Sequence, residues 1–357
     1  MIVSKPWLDR VNRIHTVTED KSKYILRIDQ NERIDNFDDN FFNDFIKTIK
    51  HTDICSYPST AEFLHRLGRY SHANASTEIF LSSGSDQIIK SVFETFVNID
   101  DEVITTDPCF PMYSVYAKLF NSKLIKVPYD TSLRFNINNL LSYITDKTKL
   151  IIIANPNSPI GDWHPATEFE QLFNETSKRG IVVLIDEAYV EFAPSAFDHI
   201  INEYDNVILS RTFSKGLNAA GIRLGYMLAN KNIIDLVSKW RHMHPLNGIA
   251  IRFGIYILDN ISYIEKHISD TIIEKVKIVL ELEENNFDII STYGNWIHFN
   301  TKDDNEITSK ILNSYKDIAT RDSCIIPYDY RKNWVRMTIG PNLSEYDFFK
   351  EILKQGV

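Results

Sequence analysis

The sequence predicts an α/β fold, with a mainly parallel sheet flanked by helices and a smaller α+β domain beside it. Three observations predict this. From about residue 45 to 240, short apolar runs alternate with amphipathic segments, and strands separated by helical patterns imply crossover units. One of those runs, IVVLIDEAY, is almost continuously apolar, which suits a strand covered on both faces. After Pro245 the texture changes to a long helical stretch followed by short strands.

The elements follow in order. EIFLSS reads as a strand and SDQIIKSVFETFV as a helix; EVITTD is a strand and PMYSVYAKLF a helix; KLIKVPYD and KLIIIA are strands. PATEFEQLFNETSKRG is a helix, with Pro165 suited to its first turn and Gly180 to its stop. IVVLIDEAY and NVILS are strands, and KNIIDLVSKWR is a helix. IAIRFGIYILDNISYIEKHISDTIIEKVKIVLELEE is a long helical stretch, and NWIHFN and WVRMTIG are strands of the second domain. The expected division is a large domain over 35–245 and a small one over 246–357. Segment 1–34 should pack on the small domain, because about thirty residues cannot form a core alone.

Bulk properties narrow the function. With 357 residues, 43% hydrophobic and 24% charged, the chain can bury a sizeable core. A net charge of -9 gives no basic stripe for nucleic acid. Cys55, Cys109 and Cys324 have no CxxC spacing, so neither a disulfide framework nor a zinc site is indicated. The His242-Met243-His244-Pro245 cluster lacks further ligands at metal spacing, so no metal is expected. No signal peptide or membrane span is visible, which points to a soluble cytoplasmic protein.

Open parallel sheets bind ligands beyond the carboxyl ends of their strands, so those ends are where chemistry should sit. After EIFLSS, Gly84-Ser85-Asp86 opens a helix, and free amides at a positive dipole end can cradle a phosphate. An ordinary strand-to-helix turn looks the same. After IVVLI, Asp186 ends a buried strand, where a carboxylate needs a partner. A protonated pyridine nitrogen, an arginine or a helix cap would each serve. After NVILS comes Arg211-Thr212-Phe213-Ser214-Lys215, and a lysine among small residues at a strand end can form a Schiff base. A solvated loop lysine is the plainer alternative. The combination says more than its parts: cradle, carboxylate, tyrosine, lysine and arginine all fall just past strand ends.

The string SRTFSKGLNAAGIRLGY resembles the cofactor-lysine segment of the histidinol-phosphate aminotransferase group, which belongs to the fold-type I pyridoxal-phosphate aminotransferases. DEAYVEF, SSGSDQIIKSVFETF, DPCFPMYSVYAKL, CSYPS and VRMTIG resemble its other motifs, in family order across nearly the whole chain. The resemblance implies a large domain with a seven-stranded, mainly parallel sheet and pyridoxal 5'-phosphate as cofactor. It implies that Lys215 carries the cofactor as a Schiff base and moves the substrate proton. Asp186 would pair with the pyridine nitrogen, Tyr189 would donate to the ring hydroxyl, and Phe110 would stack on the ring. Ser85, Asp86, Thr212, Ser214 and Arg223 would hold the phosphate, joined by Tyr57 from the second subunit of a homodimer with shared sites. Arg336 would grip a substrate carboxylate, and Arg321 and Asn31 would face the substrate.

Two departures stand out. The family's Asn-Asn-Pro-Thr-Gly is here Asn157-Ser158-Pro159-Ile160-Gly161, so Ser158 replaces the asparagine that bonds the ring hydroxyl. The Asn-Glu-Asn-Pro type entrance motif is here Asp29-Gln30-Asn31-Glu32-Arg33-Ile34. Cofactor handling looks kept and substrate handling changed. The resemblance implies transfer of an amino group between glutamate, or a similar donor, and a small phosphorylated keto or aldehyde acceptor. The alternative is decarboxylation of a phosphorylated amino acid, as in threonine-phosphate decarboxylase. The electron sink is shared, and the choice depends on which substrate bond stands perpendicular to the ring. A cofactor-sensing DNA-binding regulator is the third reading; it needs a DNA-binding domain for which this acidic chain leaves little room.

Overall fold

The computed structural model describes residues 4–12, 24–301, 318–319 and 334–354. Twelve strands are among them: β1 (Leu26–Arg27), β2 (Ile79–Ser82), β3 (Glu102–Asp107), β4 (Lys123–Pro128), β5 (Thr148–Ala154), β6 (Val182–Asp186), β7 (Val207–Thr212), β8 (Gly225–Ala229), β9 (Phe287–Ser291), β10 (Trp296–Thr301), β11 (Ile318–Ala319) and β12 (Val335–Thr338). The helices are α1 (Asp39–Thr48), α2 (Thr52–Cys55), α3 (Ala61–Tyr70), α4 (Ser85–Phe96), α5 (Pro111–Leu119), α6 (Ile137–Leu141), α7 (Ala166–Lys178), α8 (Ile200–Glu203), α9 (Lys231–Val237), α10 (Gly248–Asp259), α11 (Ile261–Glu284) and α12 (Asp347–Leu353).

Seven strands form one sheet in the order β2-β8-β7-β6-β5-β3-β4. Pairing is parallel from β7 to β4, while β8 runs antiparallel to both β7 and β2. Strand β2 therefore points the same way as β7, and the carboxyl ends of β2, β3, β5, β6 and β7 share one edge. The seventh strand, β8, is the one the sequence pattern does not single out; it follows directly on a glycine-bounded loop and looks like its tail.

Alternation along the central strands shows why the sheet is buried on both faces. Ile151 and Ile153 enter one core with Val183 and Ile185, while Leu150 and Ile152 enter another with Leu184. Successive side chains on a strand point to opposite faces, so continuous apolar runs are required here. A third core lies on the three-stranded antiparallel sheet β12-β10-β9 and includes Leu26 and Ile28 of the N-terminal segment. The long helical stretch breaks at Asn260, between α10 and α11. Helix α11 then links two cores: Ile264 and Ile268 pack under the large sheet, and Ile278 and Leu282 on the small one. Among the described residues, no helix is long and apolar enough to cross a membrane.

Candidate active site

Asp186 is the last residue of β6 and is buried. Its Oδ2 accepts a 2.8 Å hydrogen bond from Tyr113 Oη, on α5. Its Oδ1 is buried with no hydrogen-bond partner. Burial raises its pKa to about 6; the Tyr113 bond opposes that rise, and the nearby Asp86 charge adds to it. A buried carboxylate with one oxygen tied back and one left open is suited to a cationic N–H donor.

Lys215 follows β7. The loop is fixed by Phe213 N–H to Leu224 O at 3.0 Å, Asn218 N–H to Lys215 O at 2.9 Å and Ala219 N–H to Phe213 O at 2.8 Å. Its half-buried Nζ donates to Gln30 O at 2.6 Å and lies 5.6 Å from the centre of the Tyr189 ring. The next residue, Gly216, has no room for a side chain, because a Cβ there would lie 2.4 Å from Glu191 Cβ.

The expected phosphate cradle is shaped by close backbone approach. Gly84 caps α4 at φ 82, with no side-chain cap on the helix. A Cβ on Gly84 would lie 2.5 Å from Arg223 Nη2, and one on Gly225 would lie 2.5 Å from the Gly84 carbonyl carbon. Ser85 and Asp86 thus open a helix beside the Arg223 guanidinium. Arg223 itself is left-handed, at φ 56, and its Nη1 donates to Ser214 Oγ and to Ala220 O, both at 3.1 Å. Thr212 Oγ1 accepts from Ser214 N–H at 3.1 Å, so Thr212 and Ser214 stand together beside the arginine.

Phe110 precedes α5, half-buried, with its ring 5.7 Å from that of Tyr113 and edge-on to it. Ser158 lies half-buried in the turn after β5. That turn is organised by Asn157, whose Oδ1 accepts from Ile160 N–H at 3.1 Å and whose Nδ2 donates to Thr106 Oγ1 at 3.4 Å. Tyr189 is buried, and its Oη accepts from Asn31 Nδ2 at 3.0 Å. Asn31, expected to face the substrate, thus directs its amide at Tyr189. Arg336 is buried on β12; its Nη2 donates to Asp29 O at 2.8 Å, and its Nε is buried without a partner. Tyr57 stands apart from the others. It is 83% exposed and stacks on His244, with ring centres 4.2 Å apart. Arg321 lies outside the described residues.

Two residues of the site escape sequence reading. Tyr113 sits three positions after Phe110 in a helix that looks like ordinary core, and only the fold brings it to Asp186. Asn157 lies in a Pro/Asn-rich turn, which looks the same in sequence whether or not its side chain organises a site.

Pyridoxal phosphate fits these groups on grounds internal to the chain. The open Asp186 Oδ1 suits a protonated ring nitrogen. The Gly84 and Gly225 contacts leave a backbone-lined seat that side chains would fill. An amine and a guanidinium stand at the same sheet edge.

Residues 46–348 match the family model for aminotransferase class I and II. The histidinol-phosphate aminotransferase of Methanocaldococcus jannaschii is 32% identical over 85% of this chain and 82% of its own. That of Clostridium novyi is 26% identical, covering 89% and 88%. The crystal structure of the Sinorhizobium meliloti histidinol-phosphate aminotransferase with pyridoxal 5'-phosphate superposes with a TM-score of 0.83, at 20% identity, over 99% of this chain and 97% of that one. L-threonine-O-3-phosphate decarboxylase from Porphyromonas gingivalis shares the fold with a TM-score of 0.75 at 16% identity, covering 92% and 98%. The chain belongs to the class I and II aminotransferases.

Proposed function

We propose that this chain moves an amino group between glutamate, or a similar donor, and a small phosphorylated keto or aldehyde compound, with pyridoxal 5'-phosphate held on Lys215. The observation that carries the reading is the buried, unpartnered Asp186 Oδ1 at the sheet edge that also presents Lys215 and the Gly84 cradle. Bound pyridoxal phosphate supplies an electron sink that weakens bonds to the substrate carbon beside it. Asp186 keeps that sink charged by pairing with the ring nitrogen. Lys215 Nζ would hold the cofactor and would serve as the acid and base for the substrate proton. Arg223, with Thr212, Ser214 and the amides of Ser85 and Asp86, holds the phosphate. Phe110 covers one face of the ring. Tyr189 would donate to the ring hydroxyl, with Ser158 in place of the family's asparagine. Arg336 receives a substrate carboxylate or phosphate in a forked pair.

The phosphorylated acceptor is supported by relatives that are histidinol-phosphate aminotransferases along most of the chain. The enzyme works as a homodimer: Tyr57 is turned outward, near exposed Ile54 and Met243, where a second subunit can use it. Its two described thiols are free, in keeping with a cytoplasmic enzyme. The test is to mix the loaded enzyme with histidinol phosphate and with phosphorylated amino acids, with and without 2-oxoglutarate. Glutamate formation that requires the keto acid supports transamination. Carbon dioxide release without it would replace this reading with decarboxylation.

A further inference from the structure

Asn31 is far more constrained than an entrance residue needs to be. It is buried and left-handed, at φ 53, a conformation that asparagine tolerates better than most residues. Its N–H donates to Thr338 Oγ1 at 3.0 Å, and its carbonyl accepts from Asn295 Nδ2 at 3.3 Å. Its side chain is held at both ends as well. Oδ1 accepts from Thr338 Oγ1 at 3.0 Å, and Nδ2 donates to Tyr189 Oη at 3.0 Å. Thr338 fixes the direction of the chain. Its oxygen accepts the Asn31 N–H and its own proton goes to Oδ1, while the amide N–H faces the phenol.

That direction has a consequence for Tyr189. A phenol whose oxygen already accepts a hydrogen bond must send its own proton elsewhere. The strand that anchors Asn31 also carries Arg336, two residues before Thr338 and on the same face. Arg336 holds Asp29 O, and Thr338 N–H holds Ile28 O at 3.1 Å, so the 28–31 loop is tied to β12 at three points.

We infer that Asn31 is a positioning residue: it fills the acceptor site of Tyr189, so that the phenol proton is presented to the cofactor's ring hydroxyl, and it ties that donor to the strand bearing Arg336. In this chain the role bears added weight, because Ser158 stands where the family places an asparagine against the same hydroxyl. The inference rests on the proposed cofactor site.

Asn31→Asp tests it. Aspartate keeps the shape and tolerates the left-handed backbone, but offers only acceptors, so it captures the Tyr189 proton. A ring oxygen that loses its donor, beside a new negative charge, becomes more basic. The midpoint pH of the absorption change of the cofactor-loaded protein should therefore rise by about half a unit or more, with kcat falling up to about tenfold. Thr338→Val should shift the midpoint the same way by less, and Thr338→Ser should restore it, even if Asn31→Asp does not fold. A folded Asn31→Asp protein with the wild-type midpoint would overturn the inference, as would a Thr338→Val midpoint indistinguishable from that of Thr338→Ser. If the wild-type protein showed no cofactor absorption, the proposed function would fail instead.

Discussion

Asp186 is legible in the sequence because a carboxylate ending a buried apolar strand is an anomaly that asks for a partner. The structure supplies half of one, in Tyr113, and leaves the other oxygen open. Burial holds its folded pKa near 6, above the ordinary 3.8. A raised carboxyl pKa contributes stability that is full below the unfolded value and is lost as pH rises through the folded one. Without cofactor, then, the wild type should lose up to about 3 kcal/mol relative to Asp186→Asn between pH 4 and pH 7.5. Denaturant unfolding across that range measures it, and a flat difference would mean that Asp186 is not held as described. Arg336 is legible for the same reason as Asp186, a charge on an apolar strand. Arg336→Lys keeps the charge but loses the fork. Catalytic efficiency with anionic donors should fall by about 2–5 kcal/mol, while the resting cofactor spectrum stays unchanged. Unaltered efficiency would make Arg336 a structural residue that serves Asp29 alone. Tyr113 and Asn31 are not legible in this way, because a buried tyrosine and a loop asparagine look the same whether or not they touch anything chemical.

Among the elements, the turn between β2 and α4 is set by two glycines. Their sequence signal is weak, since Gly-Ser-Asp before a helix is common. Gly84→Ala would force alanine into a positive-φ extended conformation that is essentially reserved for glycine, costing about 1–3 kcal/mol, and would press on Arg223. The apoprotein should still fold, and its affinity for pyridoxal phosphate should drop at least about tenfold by fluorescence titration. Lys275 on α11 is a comparable device outside any motif. Its buried Nζ donates to Thr292 O at 2.7 Å and Gly294 O at 2.8 Å, and burial alone lowers its pKa to about 8. The turn it clamps rests on the large sheet's loop, with Tyr293 N–H on Gly161 O at 2.7 Å, and leads into Asn295. Without the amine, the Thr292 and Gly294 carbonyls lose this buried donor, so Lys275→Met should lose about 1–3 kcal/mol of stability. An unfolding midpoint equal to wild type would show that the clamp contributes nothing. Helical periodicity hides Lys275, which sits among apolar neighbours in a long amphipathic stretch.

For the whole molecule, the alternation of strands and helices made the large sheet readable, because crossover units leave a strong periodic mark. The antiparallel β8 left no such mark, and the assembly is less readable still. Tyr57 is exposed and stacks on His244; in the proposed homodimer it would serve the cofactor of a second chain. Sedimentation should show a dimer at micromolar concentration, and Tyr57→Phe should weaken cofactor retention without changing the fold. A fully active monomer would contradict the shared site. The central claim is that one lysine, Lys215, carries pyridoxal phosphate at the carboxyl edge of the large sheet. Borohydride reduction of the loaded protein followed by peptide mapping tests it most directly. The label should lie on Lys215, and Lys215→Ala should bind the cofactor weakly, reversibly and without turnover; a label on any other lysine would contradict the account.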